Sequence, residues 1–263
     1  MLSALVEGTA LVTRPPVTAI ERFTGCFWAL VQVSGTCVQT LPDPSSYLVV
    51  EIPRDSRPQC LVTGPRLKSV RSCPAEQTEV VGIRLRPGVA FLLTGISADH
   101  LVGRREPLAG FIGPRADELA RSIAETDSTD KRFNLLESFL VERLAAKSVD
   151  PRVITALRLI QESSGRLRVQ QVAQRCYVSC RQLERLLRVW VGLSPKRLLR
   201  IARFQSALGC ATKGPASDWT YVAAEQDYVD QAHLIHEFSG FTGASPTRFV
   251  ALTSATSLKA NCD

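Results

Sequence analysis

Several kinds of residue and motif are scarce in this sequence, and each scarcity excludes something. There are three histidines, His100, His233 and His236, and one methionine among 263 residues. Residues 1–150 contain only His100, so a metal centre built from clustered histidines has no ligands there. His233 and His236 stand at i, i+3, but the sequence places no third ligand beside them. No metal and no cofactor are expected. No apolar run approaches the ~18–20 residues of a membrane-spanning helix. The opening MLSALVEGTALV carries Glu7 inside its apolar stretch and no leading Lys or Arg, which makes a poor signal peptide. A cytoplasmic chain with no membrane partner is therefore expected. There is no phosphate loop, G-x-S-x-G, H-E-x-x-H or dinucleotide fingerprint, so no enzyme is expected.

Cysteine is not scarce, but its spacing is uninformative. The eight cysteines include no C-x-x-C, and Cys176-x-x-x-Cys180 is the nearest pair. A chain this long, with 45% hydrophobic residues, can build a core without disulfides. Reduced, mostly buried thiols that pack as small hydrophobes are expected. A redox or alkylation sensor is the alternative. Its alkylation form needs close cysteine pairs, and Cys26, Cys37, Cys60 and Cys73 are widely spaced in sequence.

The net charge of +7 is unevenly spread. Residues 1–150 hold 17 basic and 17 acidic side chains, whereas residues 151–263 hold 15 basic and 8 acidic. Residues 166–203 alone hold ten Lys/Arg against Glu184. A basic stretch of that density suggests a polyanion partner such as nucleic acid.

The fold class is α+β. Up to about residue 85, short runs such as TGCFWALVQV, SYLVVEI and TEVVGIRL alternate with Pro/Asp/Ser turn clusters and read as strands of a sandwich or barrel. After Pro87 the pattern becomes helical. In DKRFNLLESFLVERLA, Phe133, Leu136, Phe139, Leu140 and Leu144 share one face, with Asp130 as the expected N-cap. A boundary near Ser148–Pro151 divides a regulatory domain, 1–149, from an all-helical domain, 150–253. Residues 254–263 read as a frayed, disordered tail.

The helical part repeats with a shift of 51 residues. Ala173 meets Ala224, Tyr177-Val178 meets Tyr228-Val229, and Leu183 meets Leu234. Further on, Gly192 meets Gly243, Ser194-Pro195 meets Ser245-Pro246, and Arg197 meets Arg248. Each unit reads as a helix–turn–helix: a short helix with a small residue at the helix crossing, a turn, an N-cap (Ser179, Asp230) and an amphipathic helix. Ser179-x-x-Gln182 is a capping box. A recognition helix presents its first turns to the major groove, where Arg pairs with guanine and Gln with adenine.

At RQLERLLRVWVGLSPKRLLRIARFQSAL and DYVDQAHLIHEFSGFTGASPTRF the sequence resembles the AraC/XylS family of transcription regulators. The resemblance implies two helix–turn–helix units joined by a long helix, here Pro195–Ala211, on double-stranded promoter DNA. By position it assigns base reading to Arg181, Gln182, Glu184 and Arg185 in the first unit. In the second unit the readers would be Gln231, Ala232, His233 and His236. Arg168, Arg175, Arg188, Lys196, Arg197 and Arg200 are then the phosphate-contact candidates. The family usually has Gly in each turn, where this chain has Tyr177 and Asp227. Tyr adopts a positive φ poorly, so the first turn is expected to be rebuilt. Residues 213–248 hold two basic and five acidic side chains, so the second unit is expected to add modest DNA contacts or to meet a protein such as RNA polymerase.

Segments such as LPDPSSYLVVEI and EPLAGFIGP resemble the cupin-like, jelly-roll regulatory half of some family members. That implies binding of a small-molecule effector or homodimerisation. Phe23, Phe27, Trp28 and Tyr47 are candidates to line an apolar effector pocket, or else to serve as plain core.

Overall fold

Val, Ile and aromatic residues alternate with Thr, Ser and charged residues in the N-terminal half, and they form strands. Periodic Leu and Ala with capped ends form helices in the rest. The computed structural model describes residues 2–6, 11–32, 37–73, 77–213, 219–255 and 258–261. The strands are β1 (Leu2–Val6), β2 (Leu11–Arg14), β3 (Thr24–Gln32), β4 (Val38–Thr40), β5 (Ser46–Pro53), β6 (Gln59–Thr63), β7 (Val70–Ser72) and β8 (Thr78–Leu85). Helix α1 (Val89–Thr94), a 3-10 turn (Ala98–Leu101) and β9 (Arg105–Pro107) follow. Next come α2 (Ala109–Ile112), α3 (Arg115–Ala124), α4 (Thr129–Leu144), α5 (Pro151–Glu162), α6 (Val169–Arg175) and α7 (Cys180–Val191). The chain ends with α8 (Pro195–Lys213), α9 (Trp219–Glu225), α10 (Gln231–Thr242), α11 (Pro246–Ala255) and β10 (Leu258–Asn261).

The strands form two antiparallel sheets, a large one in the order β2-β3-β8-β5-β6-β9 and a small one in the order β10-β1-β4-β7. The pleat gives the large sheet two apolar faces. Phe27, Leu48, Val50, Val62, Val81 and Ile83 point one way, into a core shared with Ala120 and Ile123 of α3 and Phe133, Leu136 and Leu140 of α4. Trp28, Leu30, Tyr47, Val49 and Val80 point the other way, where Val38 of the small sheet packs against them. Two expectations are corrected here. Phe23 and Phe27 belong to the helical core, Phe27 against Phe133 with ring centroids 5.5 Å apart, and do not line the cavity on the other face of the sheet. Residues 258–261, expected to be part of a frayed tail, pair with β1.

Three further expectations change. Cys37 and Cys73, 36 residues apart in sequence, are joined by a disulfide across the β4–β7 pair, and Cys26 is disulfide-bonded as well. Cys60 and Cys176 are buried free thiols, whereas the free thiol Cys180 is exposed. The N-cap of α4 is Ser128 rather than Asp130, which sits in the first turn where its charge favours the helix dipole.

Asp43, fully buried, is the polar centre of the N-terminal half. Its carboxylate accepts from the Ser45 N–H (2.9 Å), the Tyr47 hydroxyl (2.6 Å) and the Arg84 guanidinium (3.1 and 3.2 Å). Its backbone exchanges two hydrogen bonds with Arg66, at 2.9 and 3.0 Å.

The core does not stop at residue 149. One cluster of buried side chains runs from Ile20 and Phe27 to Leu187, Phe204 and Phe249. Trp190 of α7 packs at a tilt against Phe91 of α1, with centroids 4.5 Å apart. Gly192 follows with φ +86°, and a Cβ there would stand 2.6 Å from the Ala98 carbonyl oxygen. Gly is needed twice over, for the left-handed cap and for the close approach. The α8 side chain of Gln205 donates to the Pro42 carbonyl (3.0 Å), next to Asp43.

Burial by itself would raise the Asp43 carboxyl, but the Arg84 charge and hydrogen bonds, the Arg66 charge and the Tyr47 hydroxyl hold it well below the usual carboxylate range. The folded chain thus favours the ionised form. Its contribution is complete above the unfolded carboxyl's pKa of about 3.9 and is lost as pH falls below that. Removing one member of a buried pair typically costs about 3–5 kcal/mol. Asp43→Asn is expected to lower stability by about that much at pH 7 in urea denaturation, and the gap to the parent chain should narrow below about pH 4. An equal gap at both pH values would contradict the assignment.

Candidate nucleic-acid interface

The first unit is α6, a tight turn and α7. The Ser179 hydroxyl accepts from the Gln182 N–H (3.2 Å), and the Gln182 side-chain oxygen accepts from the Ser179 N–H (2.8 Å). Leu183, Leu187 and Val191 are buried, so the opposite face of α7 is left to solvent. Arg181 and Arg185 lie on that face, exposed and with no ion pair among the described residues. Glu184 is taken by Arg188 at 2.9 Å. Reading adenine needs both the oxygen and the amide NH2 of Gln. The Gln182 oxygen is committed to the cap, which leaves Arg181 and Arg185 as the base-reading candidates of this helix with no ion pair among the described residues.

The second unit is α9, a turn and α10. The Asp230 carboxylate accepts from the His233 N–H (2.7 Å). Gln231 accepts from the Thr220 hydroxyl (3.2 Å), and the His233 ring meets Tyr228 edge-on at 5.4 Å. Ala232 and His236 are exposed. Buried Glu237 accepts from Arg200 Nε (2.7 Å) and the Tyr228 hydroxyl (3.2 Å). Arg200, a phosphate-contact candidate, is therefore bound to the base of α10, and Arg188 is shared with Glu184. Arg168, Arg175, Lys196 and Arg197 are exposed.

The two turns differ by one residue. The Val178 N–H bonds to the Ala173 carbonyl, and the Tyr228 N–H bonds to the Ala223 carbonyl, so the units align with a shift of 50 before the turn. From the N-caps Ser179 and Asp230 onward the shift is 51. The small residue at the second helix crossing is accordingly Ala223, 3% exposed, and not Ala224. The additional residue is Val229, which is 86% exposed. The first turn is not rebuilt: Tyr177 takes φ +55° and Asp227 the matching +57°.

Four cations that sequence reasoning passed over, Arg66, Lys68, Arg104 and Arg105, line a cavity between the two sheets together with Trp28 and Tyr47. Their only sequence signal is a pair of basic clusters beside Gly and Pro, in TGPRLK and VGRRE. Among the described residues no group of three His, Cys, Asp or Glu gathers into a possible metal site, and no helix is long and apolar enough to cross a membrane.

Tyr177 is 96% exposed, so its ring gains nothing from the interior while its backbone carries a left-handed conformation that costs about 1–2 kcal/mol. Tyr177→Gly is expected to raise stability by up to about 1 kcal/mol, since glycine also gains entropy in the unfolded chain. A fall in the urea midpoint would contradict this.

Residues 172–251 match the family model described as a helix-turn-helix domain, and residues 12–107 match a domain of unknown function, DUF6597. A search of curated proteins finds no match. Among solved structures, the C-terminal domain of AraT, a response regulator from Geobacillus stearothermophilus, is 26% identical. It covers 39% of this chain and 86% of its own, with a TM-score of 0.35. ToxT from Vibrio cholerae O395 is 10% identical over 96% of this chain and 98% of its own, with a TM-score of 0.44. A V. cholerae ToxT structure with an unsaturated fatty acid bound gives 10%, 98% of each chain and 0.45. With its paired units, capped second helices and connecting helix, the C-terminal region is a helix–turn–helix domain.

Proposed function

We propose that the chain is a sequence-specific, DNA-binding transcription regulator that works in the cytoplasm and has no catalytic activity. Its helices α7 and α10 enter successive major-groove segments of a promoter site, and its N-terminal half modulates that binding. The observation that carries this reading is the pair Arg181 and Arg185. They are exposed and free of carboxylates on the outer face of a capped helix, inside a segment with ten basic residues and one acid. Each arginine can take a guanine edge, and Arg168, Arg175, Lys196 and Arg197 can neutralise flanking phosphates. About four to six such contacts give a slope of log Kobs on log salt of roughly −4 to −5.

The two units contribute unequally. α7 carries two free cations, whereas α10 offers Gln231, Ala232, His233 and His236 and no arginine or lysine. The first unit supplies most of the DNA affinity. The second adds modest contacts or meets a protein partner such as RNA polymerase. On a site selected from random duplex DNA, Arg185→Ala is expected to cost about 1–3 kcal/mol of binding and His236→Ala less than about 1. Equal losses would contradict the asymmetry, and a salt-independent affinity would contradict DNA binding through phosphates.

A redox-responsive reading has one observation in its favour. The Cys37–Cys73 disulfide joins the ends of the β4–β7 pair, whose Val38, Val70 and Ser72 line the cavity. Reduction with excess dithiol would then change site affinity. An unchanged Kd would leave the disulfide a purely structural tie.

A further inference from the structure

Helix α10 carries no arginine or lysine, and what it presents to solvent is largely apolar. The origin lies in the turn before it. In the first unit the residue before the N-cap, Val178, is half-buried and packs on the core, and Leu183 in the first turn and a half of α7 is buried. Those are the two positions of a hydrophobic staple, and both are turned inward. In the second unit the additional turn residue displaces this arrangement. Tyr228 takes the inward place, buried and with its N–H on the Ala223 carbonyl (2.9 Å), as the Val178 N–H is on that of Ala173 (3.1 Å). Val229, now the residue before the N-cap Asp230, is pushed outward and is 86% exposed. It stands in solvent at the start of α10, the end by which a recognition helix meets base edges.

Two more apolar side chains continue from Val229 along the helix. Ala232 is exposed, and Ile235, at i+3 from it, is 36% exposed. Both lie on the side turned away from buried Leu234, Phe238 and Phe241. The polar side chains nearby are partly engaged within the protein. The Gln231 side-chain oxygen accepts from the Thr220 hydroxyl, the His233 ring lies edge-on to Tyr228, and Glu237 is buried. Bidentate reading of adenine needs the Gln231 oxygen as well as its NH2.

The size of this patch selects its partner. A stable protein interface takes about 800 Å² from each side, far more than three separated aliphatic side chains supply. Within the major groove the base edges carry one apolar group, the C5-methyl of thymine. Aliphatic methyls at the entering end of a recognition helix match it in size and in chemistry. The first unit has the complementary equipment, with Arg181 and Arg185 suited to guanine.

We propose that α10 reads thymine through its C5-methyl group, with Val229 as the main contact and Ala232 as the second, so that the DNA site carries guanines under α7 and thymines under α10. This deepens the regulator reading and rests on it.

The test uses the full chain and sites selected from random duplex DNA, with the segment under each helix located by its protected patch. Thymines under α10 are replaced by deoxyuridine, which removes the methyl and keeps the base-pairing groups. Affinity is expected to fall about fourfold for each contacted methyl withdrawn. The same replacement under α7 is expected to change affinity less than about twofold. Val229→Ser, at an exposed position, is expected to leave the urea midpoint unchanged, to weaken binding to the thymine site and to shrink the loss caused by deoxyuridine. Equal affinity for the thymine and deoxyuridine sites would overturn the proposal. So would equal losses in both segments, or an undiminished deoxyuridine effect in Val229→Ser, since either would place the methyl effect in DNA shape. A site with no protection under α10 would also overturn it and would give this face to a protein partner, while the regulator reading stands. No DNA binding at low salt, with any site, overturns the regulator reading itself.

Discussion

The buried carboxylate of Asp43 ties together groups from four parts of the chain. Its hydrogen bonds fix Arg84 on β8 and Tyr47 on β5, and its backbone fixes Arg66 in the segment after β6. The neighbouring Pro42 carbonyl receives Gln205 of α8. A charge so deeply buried survives only if every lone pair finds a donor. Meeting that requirement sets the position of the cavity wall, of the segment 66–69 and of the helix that connects the DNA-binding units.

The same economy explains how the two halves form one body. A helix–turn–helix of two short helices buries little by itself. The first unit gains its missing surface from Phe91, which takes Trp190, and from the 3-10 turn at Ala98, which needs the bare backbone of Gly192. The second unit gains its own from aromatic packing around Phe238, with Phe204, Trp219 and Phe249, and from the Arg200–Glu237–Tyr228 network. The first unit therefore keeps Arg181 and Arg185 free of ion pairs among the described residues, whereas the second engages Arg200 of the connecting helix through Glu237. The charge asymmetry between the units is thus partly structural in origin.

The helical half was readable from sequence because its signals are local. The Ser179-x-x-Gln182 box, the Asp230 cap, the apolar stripe of Leu183 and Leu187 and the connecting helix from Pro195 all lie within a few residues of what they determine. The rest depends on contacts between distant segments. Phe27 and Trp28 are adjacent in sequence yet serve opposite faces of one strand, and the strand's period does not say which face meets helices and which meets the second sheet. The additional residue Val229 was hidden because Tyr177-Val178 and Tyr228-Val229 match by identity, while the backbone hydrogen bonds pair Val178 with Tyr228. The Cys37–Cys73 bond and the return of residues 258–261 to β1 are set by topology, which spacing along the chain does not encode.

The central claim is that a firmly docked first helix–turn–helix anchors the chain on DNA while the second contributes the weaker grip. Hydroxyl-radical footprinting of the full chain on a selected DNA site, at increasing salt, tests it most directly. The account predicts two protected patches on one face of the duplex, about one helical turn apart, with the patch under α10 fading at lower salt than the patch under α7. A single patch, simultaneous fading of both, or earlier loss under α7 would contradict it.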